Sequence, residues 1–186
     1  METIRTYLSG RVVVAVGDIT DFDGDAIVNA ANSALAGGGG VDGAIHKAAG
    51  SALLEECRAL RSSSWPEGLP TGRAVATGAG NLAVKGVIHA VGPIWRGGQA
   101  DEARLLASAY QESLAIANAR KWQRVAFPAI STGIYGYPKA KAALVAYATV
   151  SAYLENHAVP VIAWFVFFTG ADADTFIGAI NGTTGT

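Results

Sequence analysis

Short, β-branched apolar runs alternate along this chain with longer stretches in which apolar residues recur at helical spacing. Residues 11–16 read as a buried strand closed by Gly17-Asp18, and Ala26–Ala30 as a second. After a run of glycines, residues 41–49 are helix-like, with Ile45, Ala48 and Ala49 on one face and Gly50 as the stop. Residues 51–60 predict another helix, and 62–72 have loop composition. Ala74–Thr77 and residues 87–91 are strand candidates, the second stopped by Gly92-Pro93. Residues 101–121 predict a long helix, with Leu105, Ala109, Leu114 and Ile116 near helical spacing. Residues 124–130 predict a strand that feeds a glycine-rich loop ending at Tyr137-Pro138. A helix over 139–156, the most apolar strand at 159–168 and a short helix over 172–180 complete the pattern. Residues 181–186 read as a frayed tail.

Strands that alternate with helices, and are apolar throughout rather than at every second position, predict an α/β fold with a mainly parallel sheet covered on both faces. In such a sheet ligands sit beyond the carboxyl ends of the strands. The chain has 23 glycines, where average usage would give roughly 13. They cluster at Gly37 to Gly40, at Gly78 and Gly80, and at Gly133 and Gly136; the first cluster follows strand 26–30 and the last follows strand 124–130, at those ends. Two loops on one edge, one of them feeding a helix at Gly40-Val41, would turn backbone N–H groups toward an anion. A phosphate-containing ligand is expected.

Composition narrows the class. A chain of 186 residues, 51% hydrophobic and 16% charged, has ample core material for one domain. Its net charge of −1, from 14 basic and 15 acidic residues, gives no field for collecting nucleic acid. Cys57 is the single cysteine, so an intramolecular disulfide and a multi-cysteine metal site are both excluded. His46, His89 and His157 are well separated along the chain, so neither a zinc site nor any other metal or cofactor is expected. No signal-like opening or membrane-spanning run is visible, and the expectation is a cytoplasmic chain without a membrane partner.

No GxxxxGK[ST] motif exists, and four successive glycines followed by Val41-Asp42 do not fit GxGxxG. A P-loop nucleotidase is thereby excluded and a dinucleotide oxidoreductase disfavoured. Asp42 falls in the first turn of its helix, where the dipole favours an ionised carboxylate that could serve as a base. From the residues alone it reads equally as an ordinary charge at a helix start. His46 lies one turn further on, so a His–Asp dyad stays open beside a packed structural role. His89, in an apolar strand, and Cys57, on a helix, read as structural.

Three ordered segments carry a more specific signal. They are Gly17-Asp18-Ile19-Thr20; Ile27-Val28-Asn29-Ala30-Ala31-Asn32-Ser33 through Gly37-Gly38-Gly39-Gly40-Val41-Asp42-Gly43-Ala44-Ile45-His46; and Ile130-Ser131-Thr132-Gly133-Ile134-Tyr135-Gly136-Tyr137-Pro138. Together with Thr71-Gly72-Arg73-Ala74 and Val87-Ile88-His89-Ala90-Val91-Gly92-Pro93, they resemble the macrodomain family, and the middle segment resembles its MacroD branch. The resemblance covers nearly the whole chain, about residues 10 to 178. It implies one macrodomain: a three-layer α/β/α sandwich around a mixed, mainly parallel sheet, with an ADP-ribose cleft across the strand ends.

Matched residue by residue, the resemblance implies that Asp18 accepts from the adenine amine, with the Ile19 backbone beside the ring. Phe168 matches the residue set against adenine, although Trp164, Phe165 and Phe167 crowd the same strand as core. Ser131, Thr132, Gly133, Ile134, Tyr135 and Gly136 would wrap the diphosphate together with the N–H groups of Gly40 and Val41, and Tyr135 would lie over the distal ribose. Asn32 would orient the ribose hydroxyls and Asp42 would activate a water. The implied activity is hydrolysis of esters at the distal ribose, either O-acetyl-ADP-ribose or mono-ADP-ribose on acidic side chains. The alternative is a reader that binds ADP-ribose or ADP-ribosylated proteins without turnover. An RNA partner is disfavoured, because no basic–aromatic strip accompanies the near-zero charge.

Overall fold

The computed structural model describes residues 1–183, so the end of the expected tail, 184–186, lies outside the described residues. Seven strands, β1 (Glu2–Tyr7), β2 (Val12–Val16), β3 (Ala26–Ala30), β4 (Ala74–Thr77), β5 (Gly86–Ala90), β6 (Arg124–Phe127) and β7 (Ile162–Phe167), form one sheet. Their order is β1-β2-β7-β6-β3-β5-β4. The five inner strands are parallel, and the two edge strands run antiparallel to their neighbours. Helices α1 (Gly40–Ala49) and α2 (Ser51–Ser63) cover one face. Helices α3 (Glu102–Ala119), α4 (Lys139–Asn156) and α5 (Gly170–Thr183) cover the other. The expected three-layer α/β/α sandwich with a mixed sheet is borne out.

Successive side chains of a strand point to opposite faces, so a strand buried on both sides must feed two cores. Val28, Ile88, Val125, Phe127, Phe165 and Phe167 pack with α3, α4 and α5. Their neighbours Ile27, Val87, Ala126 and Val166 pack with Ile45, Ala49 and Leu53 of α1 and α2. That division is why the inner strands read as unbroken apolar runs.

Several boundaries differ from the sequence reading, each for a physical reason. Strand β1 went unread because its residues are polar or exposed, as suits a sheet edge. Strand β6 stops at Phe127, before Pro128, rather than running to residue 130, and β7 begins two residues after Pro160; proline breaks a central ladder. Helix α5 continues to Thr183, so residues 181–183 are helical rather than frayed. Buried Ile180 anchors that end, and the Tyr7 hydroxyl donates to Asn181 Oδ1 at 3.1 Å. Among the described residues, no helix is long and apolar enough to cross a membrane.

The topology opens a crevice at one place. After β3 the chain moves outward to β4 and β5, whereas after β6 it moves the other way to β7. Adjacent strands that lead in opposite directions define the switch point where open α/β sheets bind ligands. Strands β3 and β6 pair through Ala26–Val125 and Ile27–Ala126, while the rest of β3 pairs with β5 alone. Asp25 clasps the amino ends: its Oδ2 accepts from the N–H groups of Gln123 (2.7 Å) and Arg124 (3.0 Å), and its Oδ1 pairs with Lys85 Nζ at 2.7 Å. The carboxyl ends are free to diverge.

Candidate functional site

Strands β2, β7, β6 and β3 are consecutive neighbours, so the segments that leave them lie in a row along the carboxyl edge. Three inter-strand spacings separate the first from the last, roughly 14 Å. Asp18 comes first. Its Oδ1 accepts from the Thr20 N–H at 2.9 Å and the Thr20 hydroxyl at 2.7 Å, capping a 3₁₀ turn over Ile19–Asp21. The Ile19 side chain is buried in the core beneath α1. Next, Gly17 N–H donates to Phe167 O at 2.9 Å, which ties β2 to the end of β7. Phe165 and Phe167 are core residues, but Phe168 is 79% exposed and has no part in the core.

The loop after β6 is shaped by its own backbone. Ser131 takes a left-handed conformation (φ 68°), and Gly136 does the same at φ 66°. Tyr137 N–H donates to Ser131 O at 3.0 Å, Gly136 N–H to Gly133 O at 2.9 Å, and the Thr132 hydroxyl to Ala129 O at 3.0 Å. Gly133 and Gly136 are exposed and Ile134 is 90% exposed at the tip, while Ser131 is buried and Tyr135 half-buried. The Trp95 N–H donates to Tyr135 O at 2.8 Å, joining this rim to the loop after β5. That second loop is anchored by buried Glu102, which accepts from the N–H groups of Arg96, Gly98 and Ala100 at 2.8, 3.0 and 2.7 Å. Burial pushes the Glu102 carboxyl up, and the N–H bonds outweigh it and hold the group below the ordinary range.

At the β3 end, α1 opens with Gly40 at φ 61°, a conformation that glycine adopts without a Cβ penalty. Its N-cap, Gly39, contributes no side-chain bond to the first-turn N–H groups. Asp42, 5% exposed, uses its two oxygens differently. Oδ1 accepts from Asn29 Nδ2 at 2.7 Å and lies 3.4 Å from His46 Nε2. Oδ2 lies beneath Gly38, where an added Cβ would come within 3.1 Å of it and within 3.5 Å of Asn32 Nδ2. Asn32 Nδ2 donates to Gly37 O at 2.9 Å, and its Oδ1 is buried without a protein partner among the described residues. The fold therefore gathers Asn32 and Asp42 around Gly38.

The Macro domain family model matches residues 28–146. This chain belongs to the macrodomain family. A protein of Cronobacter sakazakii named O-acetyl-ADP-ribose deacetylase is 56% identical over 170 residues, covering 91% of this chain and 92% of that one. A protein of Escherichia coli strain K12 with the same name is 51% identical over 166 residues, covering 89% and 93%. Among solved structures, a mutant of the Oceanobacillus iheyensis macrodomain with ADPR matches with a TM-score of 0.89 at 38% identity over 94% of each chain. The Trypanosoma brucei macrodomain in complex with ADP-ribose matches with a TM-score of 0.82 at 34% identity, over 92% of this chain and 69% of that one.

Beneath Asp42 this macrodomain holds a buried polar row that joins His89 and Cys57, read from the sequence as structural, to Asn29 and Thr77, which were given no role. Asn29 Nδ2 lies 3.1 Å from His89 Nδ1, while Thr77 Oγ1 and Cys57 Sγ lie 3.0 and 3.6 Å from His89 Nε2. The available signal was a polar residue inside each apolar strand, Asn29 in β3 and His89 in β5, since buried polar groups require partners. Two of the histidines are not far apart once folded: His46, His89 and Cys57 bring ligand atoms within 4.8 Å of one another. That donor set suits a soft metal ion. Both His89 nitrogens are already engaged, however, and burial, then the Asp42 and Glu56 charges, push the Cys57 thiol up to about 11. The contacts of His89 with Asn29, Thr77 and Cys57, and of His46 with Asp42 Oδ1, account for the three residues without an ion.

Burial, and secondarily the nearby His46 charge, pulls His89 down from 6.5 to about 3. A base with a depressed folded pKa is protonated first in the unfolded chain. The stability it carries is whole above pH 6.5 and drains as pH falls toward 3. Thermal unfolding between pH 7 and 4 is therefore expected to shift downward with acid, and His89→Asn, which does not titrate, to flatten the slope. Equal slopes would show that His89 is not the group responsible.

Proposed function

We propose that this macrodomain binds ADP-ribose along the row of strand ends and hydrolyses an ester at the distal ribose, that of O-acetyl-ADP-ribose first. The observation that carries the reading is the convergence of Asn32 and Asp42 on Gly38 beside the crevice. The names of relatives 56% and 51% identical across nine-tenths of the chain support it. In this reading the Asp18 carboxylate accepts from the adenine amine, the Ile19 backbone flanks the ring and exposed Phe168 stacks on it. N–H groups of Ser131 to Gly136, with those of Gly40 and Val41, take the diphosphate. Tyr135 covers the distal ribose, and Asn32 Oδ1 accepts from a ribose hydroxyl.

The chemistry needs one base in one place. A water oxygen bonds to the acetyl carbonyl carbon while Asp42 Oδ2 takes its proton. Collapse breaks the bond to the ribose oxygen, which recovers that proton, leaving ADP-ribose and acetate. The scheme draws on no metal or cofactor. Mono-ADP-ribose esters of acidic side chains present the same carbonyl to the same base, so ADP-ribosylated proteins are proposed as further substrates. We assign the whole chain to one macrodomain, and its work to the cytoplasm, where a free thiol such as buried Cys57 stays reduced.

Calorimetric titration with ADP-ribose, followed by an acetate-release assay on the same sample, tests the proposal. Stoichiometric binding with turnover is expected; binding without acetate release would make the protein a reader, and no binding would end both readings. Phe168→Ala is expected to weaken ADP-ribose binding by roughly 5- to 150-fold, the worth of one base stack, and to leave the melting temperature unchanged. Unchanged affinity would take Phe168 out of the adenine site.

A further inference from the structure

We infer that Asn29 is a positioning residue for Asp42, its amide held in one orientation by a hydrogen-bond relay through His89 and Thr77 that starts at the Gly78 carbonyl. The inference rests on the hydrolase reading and deepens it. The protons of the relay fit in one direction only. The Thr77 hydroxyl donates to Gly78 O at 2.9 Å, so its oxygen is left to accept at 3.0 Å from His89 Nε2–H. That sets the imidazole tautomer and leaves the Nδ1 lone pair free to accept. It takes one amide hydrogen of Asn29 Nδ2 at 3.1 Å, and the other hydrogen goes to Asp42 Oδ1 at 2.7 Å. A flipped Asn29 amide would set its oxygen against both a carboxylate oxygen and a nitrogen lone pair, two acceptor–acceptor contacts in a dry interior.

The sheet holds these groups in place. Asn29 and His89 are direct partners in the parallel register of β3 and β5, and Thr77 stands on the adjoining antiparallel β4. All four side chains of the relay are buried, on sheet and helix rather than loop. A site held by rigid elements keeps its geometry. Other titratable groups face the relay from both covering helices: His46 of α1 at 3.4 Å from Asp42 Oδ1, and Cys57 of α2 at 3.6 Å from His89 Nε2, with Glu56 beside it. Burial, and secondarily the His46 charge, holds His89 down to about 3, and a proton on Nδ1 would also oppose the Asn29 donor at 3.1 Å. Oδ1 of Asp42 is thereby pinned inward, and Oδ2 is turned toward Gly38.

The test combines kinetics with a direct view of the imidazole. Long-range ¹H–¹⁵N spectra of the wild-type protein should display His89 as the neutral Nε2–H tautomer from pH 8 to pH 5 (about two pH units above its titration). The Nδ1–H tautomer or the imidazolium there would overturn the relay. Asn29→Leu is expected to lower kcat on O-acetyl-ADP-ribose by roughly 10- to 100-fold, as a misaimed base does, with the ADP-ribose Kd within about threefold. His89→Leu should match that loss, and His89→Asn, whose amide oxygen can stand where Nδ1 accepts, should recover most of it. The double variant Asn29→Leu/His89→Leu should lose no more than either single one, because His89 acts through Asn29. Additive losses, or a folded Asn29→Leu with full kcat, would overturn the inference; Asn29→Ser, too short to reach Asp42, replaces Asn29→Leu if the latter does not fold. A wild-type protein without turnover would instead end the hydrolase reading and the catalytic part of this one, while the tautomer spectrum would still decide the relay.

Discussion

Asp42→Ala is expected to bind ADP-ribose about as well as the wild type and to turn over its acetyl ester about 10²- to 10⁴-fold more slowly, the usual cost of a lost base. The split has a geometric origin. Asp42 Oδ1 is committed to Asn29 and His46, and Oδ2 lies below Gly38, so the carboxylate is not a main anchor for the nucleotide. The proposed anchors are the exposed Phe168 and the backbone amides of the loop after β6. Truncation also leaves the buried Asn29 amide without its acceptor, which costs roughly 1–3 kcal/mol of stability. Thermal unfolding must therefore be followed beside kcat and Kd, with Asp42→Asn as the shape-preserving control. Full activity in the alanine variant would remove Asp42 from the mechanism, and a loss of affinity as large as the loss of rate would recast it as a binding residue.

Gly43→Ala is the second large effect expected, and its sign reverses what helix propensity alone would give. Inside a helix, alanine is worth about 1 kcal/mol more than glycine. At this position a Cβ would come within 2.5 Å of Gly38 O, a backbone atom that cannot swing aside as a side chain can. Gly38 is the segment that lies over Asp42 Oδ2 and Asn32 Nδ2, so relieving the clash moves the loop off both. Turnover is expected to fall by at least about tenfold, with weaker ADP-ribose binding and helix content preserved by circular dichroism. A more stable variant with wild-type kcat/KM would refute the close approach.

Much of the site was legible locally. Gly40 opening a helix, Asp42 in its first turn and the Ser131–Gly136 segment after an apolar strand each announce their setting through short-range sterics and periodicity. The family was legible through three ordered motifs rather than through any one of them. The residues passed over were those whose meaning depends on a distant partner. Asn29 looked like a polar interruption of β3, and His89 like a packed histidine of β5. Cys57 and His46 looked unrelated to either, because nothing within a few residues hints at what each will face. Strand β1 was missed for the opposite reason: an exposed edge strand needs no apolar pattern to exist.

By itself the sequence determined the α/β class, most element positions, the glycine-bearing turns and the identity of the carboxylate at the start of α1. These depend on backbone sterics, side-chain period and helix-end electrostatics, all set by near neighbours. Tertiary structure alone decided that β3 lies between β5 and β6, so that Asn29 meets His89 across 60 residues and Asp42 across 13. It also decided which way the two Asp42 oxygens point. Strand order is chosen by the packing of two whole cores at once, and no local stretch of chain carries that choice.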